Sequence, residues 1–339
     1  MLRLRILPLA LTLAGLSVPA AAEPVADFYS GKQIRLIIGF GVGDAFDAYA
    51  RMLSRHMSHH IPGHPPIVVQ NMPGVGSIKA ATYVQTIAPK DGTAIGLINP
   101  VVTVDTLFDP QQLPVDASTF AWIGSMSSDT MTCGFWTRTP LTVATLKSRQ
   151  FVVGGTAATS GTMRANRVFA SVLGLDFKIV PGYSTLNDLT IAAERGEIDG
   201  YCSMMVSTLK VTAWDRYQSG GLQIPFQAAV ENDPELPNVP NAFDLVSSEE
   251  DRQLLRLLVG PWYYGKPFFA PTGIPADRLA ALRTAFMEMH QDPAFIEEAN
   301  KIKLNVRPIN GMQVREAVTQ IHQTPKAVIE RARPIMGFP

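Results

Sequence analysis

From residue 34 onward, short apolar runs of strand length alternate with longer stretches in which apolar residues recur every three to four positions. The strand-length runs are 34–40, 67–69 and 94–98, and the helix-period stretches between them are 47–60 and 77–87. This alternation predicts βαβ units around a parallel sheet. Residues 100–120, rich in Pro, Asp and Gln, read as an irregular connection by which the chain leaves a first lobe. The rhythm then repeats at 131–136, 142–147, 151–155, 162–173, 178–180, 187–195 and 200–204. After a strand at 224–230, the segment Asn232-Asp233-Pro234-Glu235-Leu236-Pro237-Asn238-Val239-Pro240 reads as a surface loop and the return crossing. Helices are expected at 248–258, 275–290, 293–300 and 312–322, packing back on the first lobe, with Pro275 at a first-turn position that suits proline. The reading is an α/β protein of two lobes, each a mostly parallel sheet flanked by helices. Residues 23–124 begin the first lobe, 125–229 form the second, and 230–339 return to the first.

The N-terminus adds a compartment. Arg3 and Arg5 precede an apolar stretch at 6–18, and Ala20-Ala21-Ala22 stands before Glu23, the pattern of a secretory signal peptide cut after Ala22. The apolar part falls short of the roughly 20 residues that span a bilayer. The leader has no cysteine for a lipid anchor, since Cys133 and Cys202 are the two in the chain. A free, monomeric periplasmic protein is expected, not embedded in the membrane. With 339 residues the chain is long enough for two packed domains and a cleft between them. Lys+Arg and Asp+Glu both number 29, so no net field favours nucleic acid or an anionic membrane, and any anion selectivity must be local. In an oxidising compartment Cys133 and Cys202 either pair or stay as two buried thiols, and the sequence leaves both open.

Candidate chemistry concentrates in glycine-rich turns. Gln70-Asn71-Met72-Pro73-Gly74-Val75-Gly76-Ser77 joins the run 67–69 to a helix-like stretch, and Gly39-Phe40-Gly41-Val42-Gly43-Asp44 does the same after 34–38. Such turns bring backbone N–H groups and a positive helix end to one place, which suits an anion. Each alone reads equally well as a connection whose glycines satisfy backbone geometry. Two of them in an exported chain, with Gly155-Thr156-Ala157-Ala158-Thr159-Ser160-Gly161-Thr162 matching them in the other half, point to capture of a small carboxylate. One of those hydroxyl residues is expected to cap the following helix.

Other chemistries weigh less. His56, His59, His60 and His64 fall in one short span, and a metal-binding protein is an alternative, but no carboxylate or cysteine stands near them in sequence. No Gly-x-Ser-x-Gly elbow, His-Glu-x-x-His pair or complete phosphate loop occurs, which disfavours a hydrolytic enzyme. Phe46 replaces the third glycine of a dinucleotide fingerprint, so nucleotide binding and cofactors are not expected. Trp136, Trp214, Trp262 and Tyr263 read as core, while Tyr183 and Tyr201 follow strands on the cleft side.

Taken in order, these turns resemble the tripartite tricarboxylate transporter receptors, the Bug family. Further matches are Ala88-Pro89-Lys90-Asp91-Gly92, Gly182-Tyr183, Glu194-Arg195-Gly196-Glu197-Ile198-Asp199-Gly200, Phe269-Ala270-Pro271-Thr272-Gly273-Ile274-Pro275 and the tail Thr324-Pro325-Lys326-Ala327-Val328-Ile329-Glu330-Arg331. The resemblance covers nearly all of the chain after the leader. It implies a two-lobed periplasmic solute-binding protein that closes on a small organic acid and delivers it to a tripartite tricarboxylate-type permease; a ligand sensor that signals through a membrane partner is a related alternative. It implies a ligand held mainly by backbone amides. In this chain those are Gly41, Val42, Gly43 and Asp44 in the first loop and Pro73, Gly74, Val75, Gly76 and Ser77 in the second. The other lobe would supply Thr156, Thr159, Ser160, Gly161 and Thr162, then Tyr183 and Ser184, and the stretch from Asp199 through Tyr201 to Ser203. Where the family's first loop carries a proline and several glycines, this chain has Val42, Gly43, Asp44 and Ala45. An acidic side chain there opens the range to aromatic acids, hydroxy acids and ligands with an amide or cationic end. Asp47 is expected to cap the helix that follows.

Overall fold

The computed structural model describes residues 24–110, 115–158 and 160–338. The leader and its expected cleavage site, and Thr159, lie outside the described residues. Strands β1 (Ile34–Ile38), β2 (Ile67–Asn71), β3 (Ala94–Leu97) and β4 (Ala121–Ser125) are accompanied by helices α1 (Val25–Tyr29), α2 (Ala45–His56), α3 (Ile78–Thr86) and α4 (Val102–Phe108). The chain then crosses to β5 (Met131–Phe135), β6 (Phe151–Gly154), β7 (Phe177–Val180), β8 (Gly200–Met205) and β9 (Gln227–Ala228). These alternate with α5 (Val143–Leu146), α6 (Gly161–Leu173), α7 (Leu186–Glu194), α8 (Val206–Thr212) and α9 (Trp214–Gln218). After α10 (Ala242–Leu245) and α11 (Glu249–Tyr263), the chain adds β10 (Pro267–Ala270), α12 (Ala276–Met289), α13 (Pro293–Lys301), β11 (Ile309–Asn310), α14 (Gly311–His322) and α15 (Lys326–Met336).

Two sheets result, in the orders β11-β4-β10-β3-β1-β2 and β7-β6-β8-β5-β9. The two-lobed α/β architecture is the expected one, but the sheets are mixed. β1 pairs parallel with β2 and β3, whereas β10 lies antiparallel between β3 and β4. In the second sheet β6 runs parallel with β7 and β8, and β5 runs against β8. The reason lies in the crossings. Strands within a βαβ unit end at the cleft, so a strand that enters its lobe from the crossing starts at that end and runs the opposite way.

Residues 102–108, inside the stretch read as irregular, form α4. Its β-branched run Val102-Thr103-Val104 has poor intrinsic helix propensity, and packing decides the matter, with Val102, Val104 and Phe108 buried. Helix α11 continues past the expected end to Tyr263.

The core has one component in each lobe and one that runs between them. Ile34, Leu36, Met52, Leu53, Phe268 and Phe286 pack together in the first lobe. Leu189, Ile198, Tyr201 and Leu222 pack together in the second. A third cluster extends from Trp122 and Phe269 through Leu254 and Leu258 to Phe135, Phe151 and Phe169. Each fully buried side chain of this kind is worth roughly 1.5–3 kcal/mol. Helices α11 and α15 therefore do more than return to the first lobe, because both also pack on α6 of the second.

Candidate ligand-binding cleft

The loops that leave β1, β2 and β3 converge on the face turned towards the second lobe, and one side chain fastens them. Ser77 is buried, donates its hydroxyl to the Gly39 carbonyl at 3.3 Å and accepts the Asn99 N–H at 3.2 Å. The fit is tight, since a Cβ on Gly39 would sit 2.3 Å from that of Ser77. Ser77 thus lies beneath the cleft, where it sets loop positions. The turn above it is wound the wrong way for ordinary residues, with φ of 151° at Gly74, 44° at Val75, 59° at Gly76 and 84° at Ser77. For β-branched Val75 this is a strained state, of the kind that collects at ligand clamps. Val75 and Gly76 line the cleft, whereas Pro73 and Gly74 do not.

The loop after β1 is organised for the helix that follows. Asp44 accepts the Phe46 N–H at 2.9 Å and is the N-cap of α2. The cap expected of Asp47 therefore belongs to Asp44, three residues earlier. Asp47 is buried instead, and its carboxylate gathers the Gly43 N–H at 2.9 Å, Arg51 Nε at 2.8 Å and Asn71 Nδ2 at 3.0 Å. The hydrogen bond from Arg51 does most to hold its pKa down, at about 2. Gly41, Val42, Gly43 and Asp44 do not line the cleft, and Val42 is exposed.

In the second lobe Thr162 is the centre of a hydroxyl ring. It accepts the Thr156 N–H at 3.0 Å and lies 3.1 Å from the Thr156 hydroxyl and 2.9 Å from that of Ser160. Ser160 caps α6. Thr156, Gly161, Thr162 and Ser184 reach the cleft, while Ser160 and Tyr183 do not line it. Asp199 accepts the Val152 N–H at 2.7 Å and pairs with Arg149 at 3.3 Å, so it serves strand β6. Tyr201 is buried against Trp136 with its hydroxyl 2.9 Å from that of Thr190, and burial pushes its pKa up.

Ser203 reaches the cleft by a different route. Cys133 pairs with Cys202 and Thr132 with Met204, so Ser203 is the extra residue of a β-bulge, at φ 71°. A bulge re-aims side chains next to a site. Here it breaks the alternation that would have put Tyr201 and Ser203 on one face. The pair beside it is covalent, because Cys133 and Cys202 form a buried disulfide across β5 and β8.

The cleft has a volume of about 930 Å³ and includes residues that local sequence patterns do not mark. Asn99 follows β3, and Leu257, Leu258 and Trp262 come from α11. Asp105 of α4 and Arg164 of α6 meet across it, 2.9 Å apart. Burial holds the Asp105 carboxyl above its ordinary range despite the Arg164 charge.

The histidine span lies elsewhere. His56 Nε2 is 2.7 Å from Glu298, and His60 Nε2 is 3.3 Å from Asp292, so folding supplies the carboxylates that the local sequence lacks. These contacts tie the histidine span to α13 and to its N-cap residue Asp292. Among the described residues no group of three or more His, Cys, Asp or Glu side chains is placed to hold a metal ion, and no helix is long and apolar enough to cross a membrane.

No family model matches the chain. Over 85 residues, 25% of this chain and 25% of the relative, it is 35% identical to a UPF0065 protein in the gbd 5′ region of Cupriavidus necator, so the match spans a quarter of that relative's length. A TctC solute-binding protein from Polaromonas, without ligand, superposes with a TM-score of 0.71 at 15% identity, covering 89% of this chain and 99% of that one. A Rhodopseudomonas palustris protein with adipate gives 0.55 at 18% identity, covering 91% and 98%. MatC from the same organism, with bound malate, gives 0.52 at 19% identity, covering 90% and 99%. The likeness is one of fold, and the chain has the two-lobed fold of the TctC-type solute-binding proteins.

Proposed function

We propose that this protein is a periplasmic solute-binding receptor of the tripartite tricarboxylate transporter, or Bug, type. It closes two lobes on a small carboxylate-bearing molecule and hands it to a membrane permease. The observation that carries this reading is the cleft itself, with the strained turn 74–77 on one side and the start of α6 with the Ser203 bulge on the other. Backbone donors at Val75, Gly76 and Gly161, with the hydroxyls of Thr156, Thr162, Ser184 and Ser203, are the groups that would hold the acid. In a cleft poor in water, charge-assisted bonds of this type are stronger than in bulk. The malate and adipate in proteins of the same fold support an acid ligand. The export signal ending at Ala22 supports the compartment. The reading needs no catalytic residue and no cofactor.

The test begins by unfolding and refolding the protein to strip carried-over ligand. A thermal-shift panel of aliphatic and aromatic acids, amides and divalent metals follows. A ligand at 100 times its Kd stabilises by about 2.7 kcal/mol, a rise of about 4 °C for a chain of this size. Shifts with metals alone would overturn the reading in favour of the histidine span, and turnover of a bound acid would make the protein an enzyme. Loss of uptake of the bound acid on deletion of the gene supports delivery to a permease. Binding without that loss points to a sensor.

A further inference from the structure

Two large apolar side chains that line the cleft are open to solvent, Val75 of the strained turn at 74% exposure and Leu186 at the start of α7 at 42%. They stand one on each lobe. Half-buried Val101, Met205 and Trp262 line the cleft as well. Apolar surface left open on both sides of a cleft that also holds a few convergent polar groups is suited to a ligand with an apolar body. The charges of the lining cancel. Among the described residues that line the cleft, Asp105 and Arg164 are the ionisable ones, and they pair at 2.9 Å. The Phe338 ring lies 4.7 Å from the Arg164 guanidinium, and its Nε is shut off from solvent. No cation of the lining is therefore left to meet a second anionic group, and the Asp105 carboxylate would repel one. A single carboxylate has donors enough at the amides and hydroxyls of the rim, where the N-terminus of α6 favours negative charge.

We propose that the cleft takes a monocarboxylate with a bulky apolar body and discriminates against dianions of the same size. The carboxylate sits on the amide and hydroxyl rim, and the body covers Val75, Leu186 and Trp262. Malate and adipate, the acids in proteins of the same fold, each carry two acid groups. In this chain the Asp105–Arg164 pair consumes the one positive charge of the lining that a second group would need. This rests on the carboxylate-receptor reading above and narrows its ligand class.

The test is calorimetric titration of two matched pairs, 4-methylbenzoate with terephthalate and hexanoate with adipate, into the ligand-stripped parent and into Leu186→Arg and Asp105→Asn. In whichever pair binds, the parent should prefer the monoacid by about tenfold or more, since a second carboxylate would enter without a partner. Leu186→Arg places a cation on the apolar lining and should narrow or reverse that preference, tightening the diacid and weakening the monoacid. Asp105→Asn frees the Arg164 charge at nearly constant shape and should also tighten the diacid, and it decides the matter if Leu186→Arg does not fold. A diacid bound as tightly as its monoacid by the parent, or a preference that neither variant moves, overturns the inference and leaves the receptor reading standing. So does a parent that binds neither pair but takes another acid of the panel with two or more carboxylates. A parent that binds no acid at all overturns the receptor reading and this inference with it.

Discussion

Removing the disulfide should cost this protein more than most single changes can. Cys133 and Cys202 are 69 residues apart in sequence, so their bond closes a long loop in the unfolded chain. The chain-entropy model puts the stabilisation for a loop of that length at about 4 kcal/mol. With an unfolding entropy of about 2.1 cal/mol/K per residue, that is a fall in Tm of about 6 °C. The assay compares melts of the oxidised parent, the parent reduced by a thiol reductant, and the double variant Cys133→Ala/Cys202→Ala. The reduced parent separates the loss of the cross-link from the small loss of packing in the alanine variant. Because the bond lies directly before the bulged Ser203, ligand affinity should fall with it. Native protein whose two thiols alkylate without reductant would refute the reasoning, as would reduced and oxidised forms that melt within about 1 °C of each other.

Three further perturbations test other parts of the structure. His290 lies between Phe286 and Phe295, donates from Nδ1 to the Phe286 carbonyl at 2.7 Å, and has its pKa lowered by burial from 6.5 to about 4. Its contribution is complete above pH 6.5 and lost as pH falls towards 4, with about 2 kcal/mol gone at pH 5. A His290→Gln variant should lack that part of the acid sensitivity, and parallel pH dependence in parent and variant would reject it. Asp44→Ala removes the cap of α2 and should cost about 1 kcal/mol in urea melts without changing which acids bind; a changed acid preference would put Asp44 in the site. Gly76→Asp places a carboxylate on the rim at φ 59°, costing about 1–2 kcal/mol of stability and weakening acid binding tenfold or more by titration. Parent-like binding would remove the turn from the site.

The parts of this molecule legible in the sequence are those set by near neighbours. Hydrophobic period found β1–β3, β5–β9 and most of the longer helices, though not β4, β10 or α15, and Gly74-Val75-Gly76-Ser77 announced a turn of unusual backbone because of its glycines. Strand direction was not legible, since whether β10 runs with or against β3 depends on where the returning chain enters. Helix α4 was hidden because its β-branched residues argue locally for something else and only burial overrules them. The Asp105–Arg164 pair joins positions 59 residues apart on different lobes, and neither stands in a recognisable pattern. Tyr201 and Ser203 exchange roles through a bulge, and one inserted residue in a strand leaves no trace in composition.

The cluster that runs from Trp122 past α11 to Phe169 means that the two lobes share a large part of their interior, beside the smaller core each keeps to itself. Hinged proteins built from independent lobes lose them one at a time on heating. Here neither half can come apart without opening the hydrophobic seam it shares with the other. A scanning calorimeter should therefore record one endotherm for the whole chain, with a calorimetric enthalpy equal to the van't Hoff value.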